Sequence, residues 1–210
     1  GNLGGGVREN NNLYNNNGDG TFTKIISGDI VNEGGRSYGA SWADYDNDGN
    51  LDLFVANYGS HNFLYNNNGE GTFTKITEGD VVTSGGAATE GSAWGDCDND
   101  GDLDLFVANK GSWNRFYDNN GDGTFTKIIS GDMVNEAFHN HNATSFATSW
   151  GDVDSDGDLD LFTADYPNPH IYLNSGNNNN YINIKLDGTQ IIGSKVSVTA
   201  DITGNTVSQL

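Results

Sequence analysis

The chain has 210 residues and is strongly acidic, with 29 aspartate and glutamate residues against 9 lysine and arginine residues and a formal net charge of -20. Such a chain lacks the basic stripe that nucleic-acid binding requires, so we exclude nucleic acid as a partner. No apolar run approaches the roughly 18 residues of a membrane-spanning helix, and the single cysteine excludes an intrachain disulfide. Hydrophobic residues make up only 34% of the chain, but 11% aromatic residues favour a folded protein over a disordered one.

The first recognisable element is a hairpin over residues 13–26, with the sequence LYNNNGDGTFTKII. Two short β-type runs flank an Asn-Gly turn, which is a strong hairpin signal. Nearly the same pattern recurs at residues 64–76 and 116–128, so this hairpin is the second half of a repeating unit. A Gly-Asp pair follows each hairpin, and we expect a turn there in which the aspartate caps backbone amides.

The first complete unit contains an acidic loop, residues 44–52, directly after the Trp42 strand. Aspartates occupy alternate positions, then a glycine lets the chain reverse, and a final aspartate closes the loop. Ca²⁺ takes about six to eight oxygen ligands, which alternate side chains of a tight loop can direct at one point. Without a cation these carboxylates would repel one another. The spacing therefore predicts a calcium site.

The acidic loop recurs in register at residues 96–104 and 152–160, and the three loops hold 14 of the 29 acidic residues. Each loop follows a tryptophan and precedes an LDLF strand. We expect these tryptophans, Trp42, Trp94 and Trp150, to pack between repeats. An EF-hand opens in the same way, but it needs a glutamate at loop position twelve and a helix on each side. Position twelve here is valine or threonine and the flanks are β-type, so we reject the EF-hand.

Each unit therefore predicts four short antiparallel strands: the Trp strand, the LDLFVA strand, a Tyr strand and the TFTKI strand. Helical periodicity is absent over useful lengths. The fold class is all-β, and four strands in roughly fifty residues fit a β-propeller blade.

These motifs resemble FG-GAP/VCBS repeats, the calcium-binding blades of integrin α-subunit propellers and of many secreted bacterial proteins. The DxDxDGxxDL loops, LDLFVAN strands and NNGDGTFTKI hairpins carry the resemblance. It implies β-propeller repeats over residues 1–176, with three calcium-binding units at about 37–77, 89–129 and 145–175 and a partial one at about 13–26. It also implies one Ca²⁺ in each loop, about three in all. The ligands so implied are the side chains of Asp44, Asp46, Asp48, Asp52, Asp96, Asp98, Asp100, Asp104, Asp152, Asp154, Asp156 and Asp160, with the backbone carbonyls of Asn50, Asp102 and Asp158.

The segment from 177 to 210 departs from the repeat and is similar to the start of the ASPIC/UnbV region that often follows such propellers. We expect a short β tail there. A longer insertion at residues 135–146 carries His139 and His141, weak candidates for metal or acid–base chemistry, and a possible glycosylation acceptor at Asn142. Trp113 and Tyr166 are loop aromatics outside the repeated strand positions.

The leading functional hypothesis is a secreted calcium-binding module, extracellular or on the cell surface of a bacterium, in which Ca²⁺ is a structural staple. It would serve cell adhesion or structural assembly, including filaments, because weak calcium sites work at extracellular concentrations. Its partners would be an extracellular protein or glycan, or further copies joined through exposed strand edges. A lectin-like propeller is the alternative, and a hydrolase or lyase is the least favoured. We find no catalytic grouping of Ser, His and Asp, so we expect no enzyme.

Overall fold

The protein is described by a computed structural model that covers residues 10–84, 88–131, 133–134 and 144–176. Regular structure there is almost entirely antiparallel β-strand, which confirms the all-β prediction. None of the helices within these ranges is long and apolar enough to cross a membrane. The predicted β tail at 177–210, His139, His141 and Asn142 lie outside the described residues.

The strands form one hairpin and three successive blades. The N-terminal hairpin consists of β1 (Leu13–Asn16) and β2 (Phe22–Ile25). The first blade contains β3 (Ser37–Ala43), β4 (Asp52–Asn57), β5 (Phe63–Asn67) and β6 (Phe73–Ile76). The second contains β7 (Ala88–Gly95), β8 (Asp104–Lys110), β9 (Arg115–Asn119) and β10 (Phe125–Ile128). The third contains β11 (Thr144–Gly151), β12 (Asp160–Tyr166) and β13 (His170–Tyr172).

Within a blade, each strand pairs with the next strand of the chain, as predicted. The register places Leu53 opposite Tyr65, and the matching pairs are Leu105 with Tyr117 and Leu161 with Tyr172. This register brings the acidic loop, which precedes the second strand, to the same end of the blade as the end of the third strand. A fourth strand of the third blade would fall beyond residue 176, outside the described part of the chain.

Successive blades approach closely along their first strands. A Cβ at Gly39 would lie 3.1 Å from the Glu90 carbonyl oxygen, and one at Gly91 would lie 3.1 Å from the Phe146 carbonyl oxygen. Such contacts are tighter than ordinary packing allows, so glycine at this position lets neighbouring first strands pack face to face. Ser41 Oγ and Ser92 Oγ, 2.7 Å apart, join the same two strands.

Two single-turn helices connect the hairpin and blades: α1 (Asp29–Asn32) and α2 (Asp80–Thr83). They replace the simple turns that the Gly-Asp pairs predicted. The expected aspartate caps are wrong, because Asp29 and Asp80 are the first helical residues and neither helix has a side-chain cap hydrogen bond. The helices instead bury apolar side chains between the sheets, namely Ile30, Val31, Val81 and Val82.

The core lies between blades, where Trp94 and Trp150 take the predicted role and Trp42 does not. Trp94 stacks on Tyr45 of the preceding blade, with ring centroids 6.2 Å apart and planes inclined by 16°. Trp150 packs against Phe116 of the second blade, at 6.1 Å between centroids. Trp42 is 45% exposed and lies against Phe73 of its own blade, at 6.2 Å between ring centroids.

Candidate metal sites

The three acidic loops share one backbone conformation. Their fourth residues, Asn47, Asn99 and Ser155, adopt left-handed φ angles of 57°, 59° and 65°. The glycines at the sixth position have φ angles of 89° to 98°. Asparagine tolerates the left-handed region better than most residues, and glycine enters it freely. These two positions therefore let each loop curl back on itself.

The first aspartate of each loop organises that curl. Asp44 accepts hydrogen bonds from the backbone N–H groups of Asp48 and Gly49, both at 3.0 Å. Asp96 makes the corresponding two bonds at 3.0 Å, and Asp152 makes them at 3.2 Å. The loop thus closes around its first carboxylate, and the following carboxylates line the same concave side.

The closing aspartate of each loop accepts hydrogen bonds both from the loop backbone and from the backbone at the end of the third strand. In the second blade, Asp104 Oδ2 accepts from Cys97 N at 3.0 Å and Oδ1 accepts from Asn119 N at 2.9 Å. Asp52 and Asp160 make the same pair of bonds in their blades. All three are 1% exposed. A buried carboxylate thus connects the loop backbone to the strand beside it in every blade.

Three of the predicted ligands converge in each loop. In each loop three carboxylates place one oxygen apiece within 4.8 Å of the others, and the groups are Asp44 with Asp46 and Asp48, Asp96 with Asp98 and Asp104, and Asp152 with Asp154 and Asp160. Asp52, Asp100 and Asp156 lie outside these tight triads. Oxygen-only donors of this kind suit a hard cation such as Ca²⁺. The donor chemistry therefore fits the predicted metal.

The residues predicted to bind through their carbonyls direct their side chains elsewhere. Asp102 Oδ1 accepts from Asn47 Nδ2 of the preceding loop at 2.6 Å, and Asp158 Oδ1 accepts from Asn99 Nδ2 at 2.5 Å. Asn50 lies over the turn glycine Gly69. The side chains of Asp102 and Asp158 therefore join neighbouring loops, whereas that of Asn50 stays within its own blade. Carbonyl ligation by the three residues stays a prediction.

Burial and repulsion raise the pKa values of some loop carboxylates, among them Asp46, Asp52, Asp98 and Asp104. Burial is the main cause for Asp52 and Asp104, whose pKa values rise to about 6 despite hydrogen bonds from backbone N–H groups that lower them. Burial and then the charge of Asp48 raise the pKa of Asp46, and Asp98 is affected in the same way by burial and Asp100. The cation-free loops thus hold negative charge that a bound cation would stabilise.

Two kinds of contact were not predicted from the sequence. Asn119 Nδ2 donates to the Tyr45 carbonyl at 2.7 Å, and Asn174 Nδ2 donates to the Cys97 carbonyl at 2.6 Å. Each asparagine lies at or just after the end of its blade's third strand and hydrogen-bonds the acidic loop of the preceding blade. The sequence shows that an asparagine recurs before the hairpin turn. Its contact with the preceding loop depends on how the two blades pack, which the sequence alone does not show.

The second unpredicted contact, in the third blade, joins the buried Asp165 to the partly exposed His170. Asp165 Oδ2 lies 2.9 Å from His170 Nδ1 and accepts from Thr163 Oγ1 at 2.7 Å. In the other blades the position of Asp165 is an asparagine, Asn57 or Asn109, which bonds the carbonyl of the loop before the third strand. The pair thus takes the place of an amide contact.

Burial raises the pKa of the Cys97 thiol, as suits a packed side chain.

Comparison with known proteins matches the chain to one family. A family model described as an FG-GAP-like repeat matches residues 3–55, 44–107 and 96–163, and no curated protein sequence matches. Among solved structures, an Agrocybe aegerita lectin that recognises non-reducing terminal N-acetylglucosamine is similar, at 18% identity and a TM-score of 0.49. The likeness covers 79% of this chain and 44% of the lectin chain, and it carries no argument about a ligand.

Proposed function

The chain belongs to the FG-GAP-like repeat family, and on that premise we propose that it is a calcium-binding β-propeller module in which Ca²⁺ acts as a structural staple. The observation that carries the proposal is the threefold recurrence of converging carboxylates with a buried closing aspartate. A single acidic cluster on a surface is common. Three acidic clusters with the same hydrogen bonds, each at the same place in a blade, are typical of a repeated binding site.

Bound Ca²⁺ would stabilise each blade through the hydrogen bonds that join the acidic loop to the third strand. Ca²⁺ supplies positive charge that offsets the repulsion between the loop carboxylates. In the first blade it would be held by Asp44, Asp46, Asp48 and Asp52, with the Asn50 carbonyl. Because Asp52 also accepts from Asn67 N at the end of β5, fixing the loop also fixes the third strand. The equivalent residues would serve in the other blades.

Thermal unfolding with and without calcium tests this proposal. A cation that binds only the folded chain stabilises it by about 2.7 kcal/mol per site when its concentration is 100 times the Kd. We expect excess EDTA to lower the melting temperature sharply and added CaCl₂ to restore it, whereas equal MgCl₂ restores it less because Mg²⁺ requires stricter octahedral geometry. An unchanged melting temperature in EDTA would refute the calcium assignment.

The module's setting is proposed as extracellular, either secreted or on a bacterial cell surface, where millimolar calcium would keep weak sites filled. Its role there would be adhesion or structural assembly. That the chain is not an enzyme stays a prediction. A direct check is protein fractionation from the native host: recovery only in the cytoplasm would contradict this setting.

Self-association is the partner hypothesis with the most specific support. Phe162 is 42% exposed on the third blade, whereas its counterparts Phe54 and Phe106 are fully buried beneath the next blade. Val153 is likewise exposed, and Trp42 is exposed on the opposite, first blade. Among the described residues, these exposed side chains are thus counterparts of residues that join blades within the chain. A second copy whose first blade packed against the third blade would bury them.

Glycan binding is the second candidate. Trp113 is 42% exposed on the loop after β8, and Tyr166 is 68% exposed as the last residue of β12, where the sequence had suggested a loop. Exposed aromatic rings of this kind can stack on sugar faces. Binding to a glycan array that is lost in both Trp113→Ala and Tyr166→Ala variants would support this candidate, and unchanged binding in both would exclude these rings as the platform.

A further inference from the structure

One position on the third strand of each blade faces the calcium loop but lies outside the loop motif. It directly follows the tyrosine that pairs with the second leucine of the LDLF strand. The residue there differs between blades: Asn66 in the first, Asp118 in the second and Leu173 in the third. The same position in the N-terminal hairpin, which has no calcium loop, is Asn15.

The first blade shows how this position meets the loop. Asn66 Nδ2 donates a hydrogen bond to Asp46 Oδ2, the carboxylate at loop position three. The next residue, Asn67, donates its backbone N–H to Asp52, so the strand lies directly beside the loop. A side chain of this length at this position therefore reaches the predicted ligands.

The second blade carries a carboxylate at the same place. Asp118 is half-buried and pairs across the hairpin with Thr126, as Asn66 pairs with Thr74. This shared register places Asp118 beside the second loop as Asn66 lies beside the first, where Asn66 reaches a loop carboxylate. A carboxylate held against other carboxylates is unfavourable unless a cation lies among them.

The third blade offers no ligand at this position. Leu173 is apolar and 62% exposed. The three sites therefore differ in one flanking group, which is an amide, a carboxylate or a hydrocarbon. Calcium affinity in proteins rises with the number and charge of the oxygen ligands.

We propose that Asp118 is a further calcium ligand, which binds directly or through one water, and that it makes the second site the tightest of the three. The proposal rests on calcium binding by the loops. It adds that the blades fill in order, with the second blade first as calcium rises. The residue that sets this order lies outside the loop motif.

Titration calorimetry of the full chain with CaCl₂ tests the proposal. Asp118→Asn should weaken the tightest of the three sites by about tenfold or more, because it removes a charged ligand. Asp122→Asn is the matched control: it removes the same charge from the exposed turn of the same blade, where Asp122 accepts from Thr124 N. The control should leave all three affinities unchanged.

The reciprocal variant is Asn66→Asp, which places a carboxylate beside the first loop. We expect it to tighten one site by about tenfold. Asn15→Asp is its control, because it makes the same change at the same repeat position where no loop exists. Equal calorimetric behaviour of Asn66→Asp and Asn15→Asp would count against the proposal.

Unfolding in EDTA separates a ligand from a structural residue. Without calcium Asp118 only adds repulsion, so Asp118→Asn should raise the melting temperature in EDTA while reducing the increase that calcium gives. A residue that merely packs would lower both temperatures. If Asp118→Asn and Asp122→Asn bind calcium alike, the inference is overturned. If the unmodified chain binds no calcium, the proposed function itself fails.

Discussion

At the residue scale, the closing aspartate has two roles that mutation can separate. Asp104 is predicted to bind the cation, and it also accepts two backbone hydrogen bonds in a buried position. Asp48, in contrast, is an exposed member of the first loop's triad. We therefore expect the stability of variants at the two positions to respond differently to chelation.

Asp104→Ala should destabilise the chain by about 2–4 kcal/mol both in calcium and in EDTA, because it leaves two buried N–H groups without their charged acceptor. Asp48→Ala should destabilise it in calcium but change stability little in EDTA. Urea unfolding of both variants in each buffer measures this. If Asp104→Ala were harmless in EDTA, the hydrogen-bonding role assigned to Asp104 would be wrong.

The pKa values of the closing aspartates give a pH dependence with a definite sign. Asp52 and Asp104 have folded-state pKa values near 6, above the ordinary 3.8. Between these values the folded chain holds more protons than the unfolded chain, so stability falls as pH rises. In EDTA the melting temperature should therefore decrease from pH 4 to pH 7.

Calcium should reverse this trend, because protons compete with the cation for the same oxygens. Melting curves at fixed excess CaCl₂ over the same pH range supply the comparison. A metal-free chain that becomes more stable as pH rises would show that the repulsion inferred for the buried carboxylates is absent.

At the element scale, the loops and hairpins could be predicted from the sequence because their conformations depend on neighbouring residues. Alternating aspartates, a glycine at position six and Asn-Gly turns specify them locally. The contacts of Asn119 and Asn174 with the preceding blade's loop could not be predicted in this way, because they join residues 74 and 77 positions apart. The single-turn helices also escaped prediction, because glycine precedes them where a capping side chain would be the usual signal.

The tryptophans offer a matched test of packing between blades. Trp94 contacts both Tyr45 and Phe125, with centroids 6.2 Å and 6.1 Å away, whereas Trp42 is 45% exposed. Trp94→Ala should cost about 3 kcal/mol or more, as large core truncations do, and Trp42→Ala should cost less than half of that. Chemical unfolding in saturating calcium gives both values. Equal losses would mean that Trp94 does not join the blades.

At the scale of the whole molecule, the exposed end faces predict end-to-end association. The same kind of contact is used between the first and second blades and between the second and third, so a further copy could continue the series as a heterologous assembly. Light scattering over a range of protein concentrations in calcium should give a rising mass for the unmodified chain. The Phe162→Ser variant should lower that mass, and a strictly monomeric unmodified chain would count against the hypothesis.

The three loops should bind three calcium ions, and native mass spectrometry of the full chain counts them directly. We expect the unmodified chain to carry three Ca²⁺ at saturation and none after EDTA, and Asp48→Ala to carry two. A chain that shows no specific calcium adducts, or the same number in Asp48→Ala as in the unmodified protein, would contradict the account.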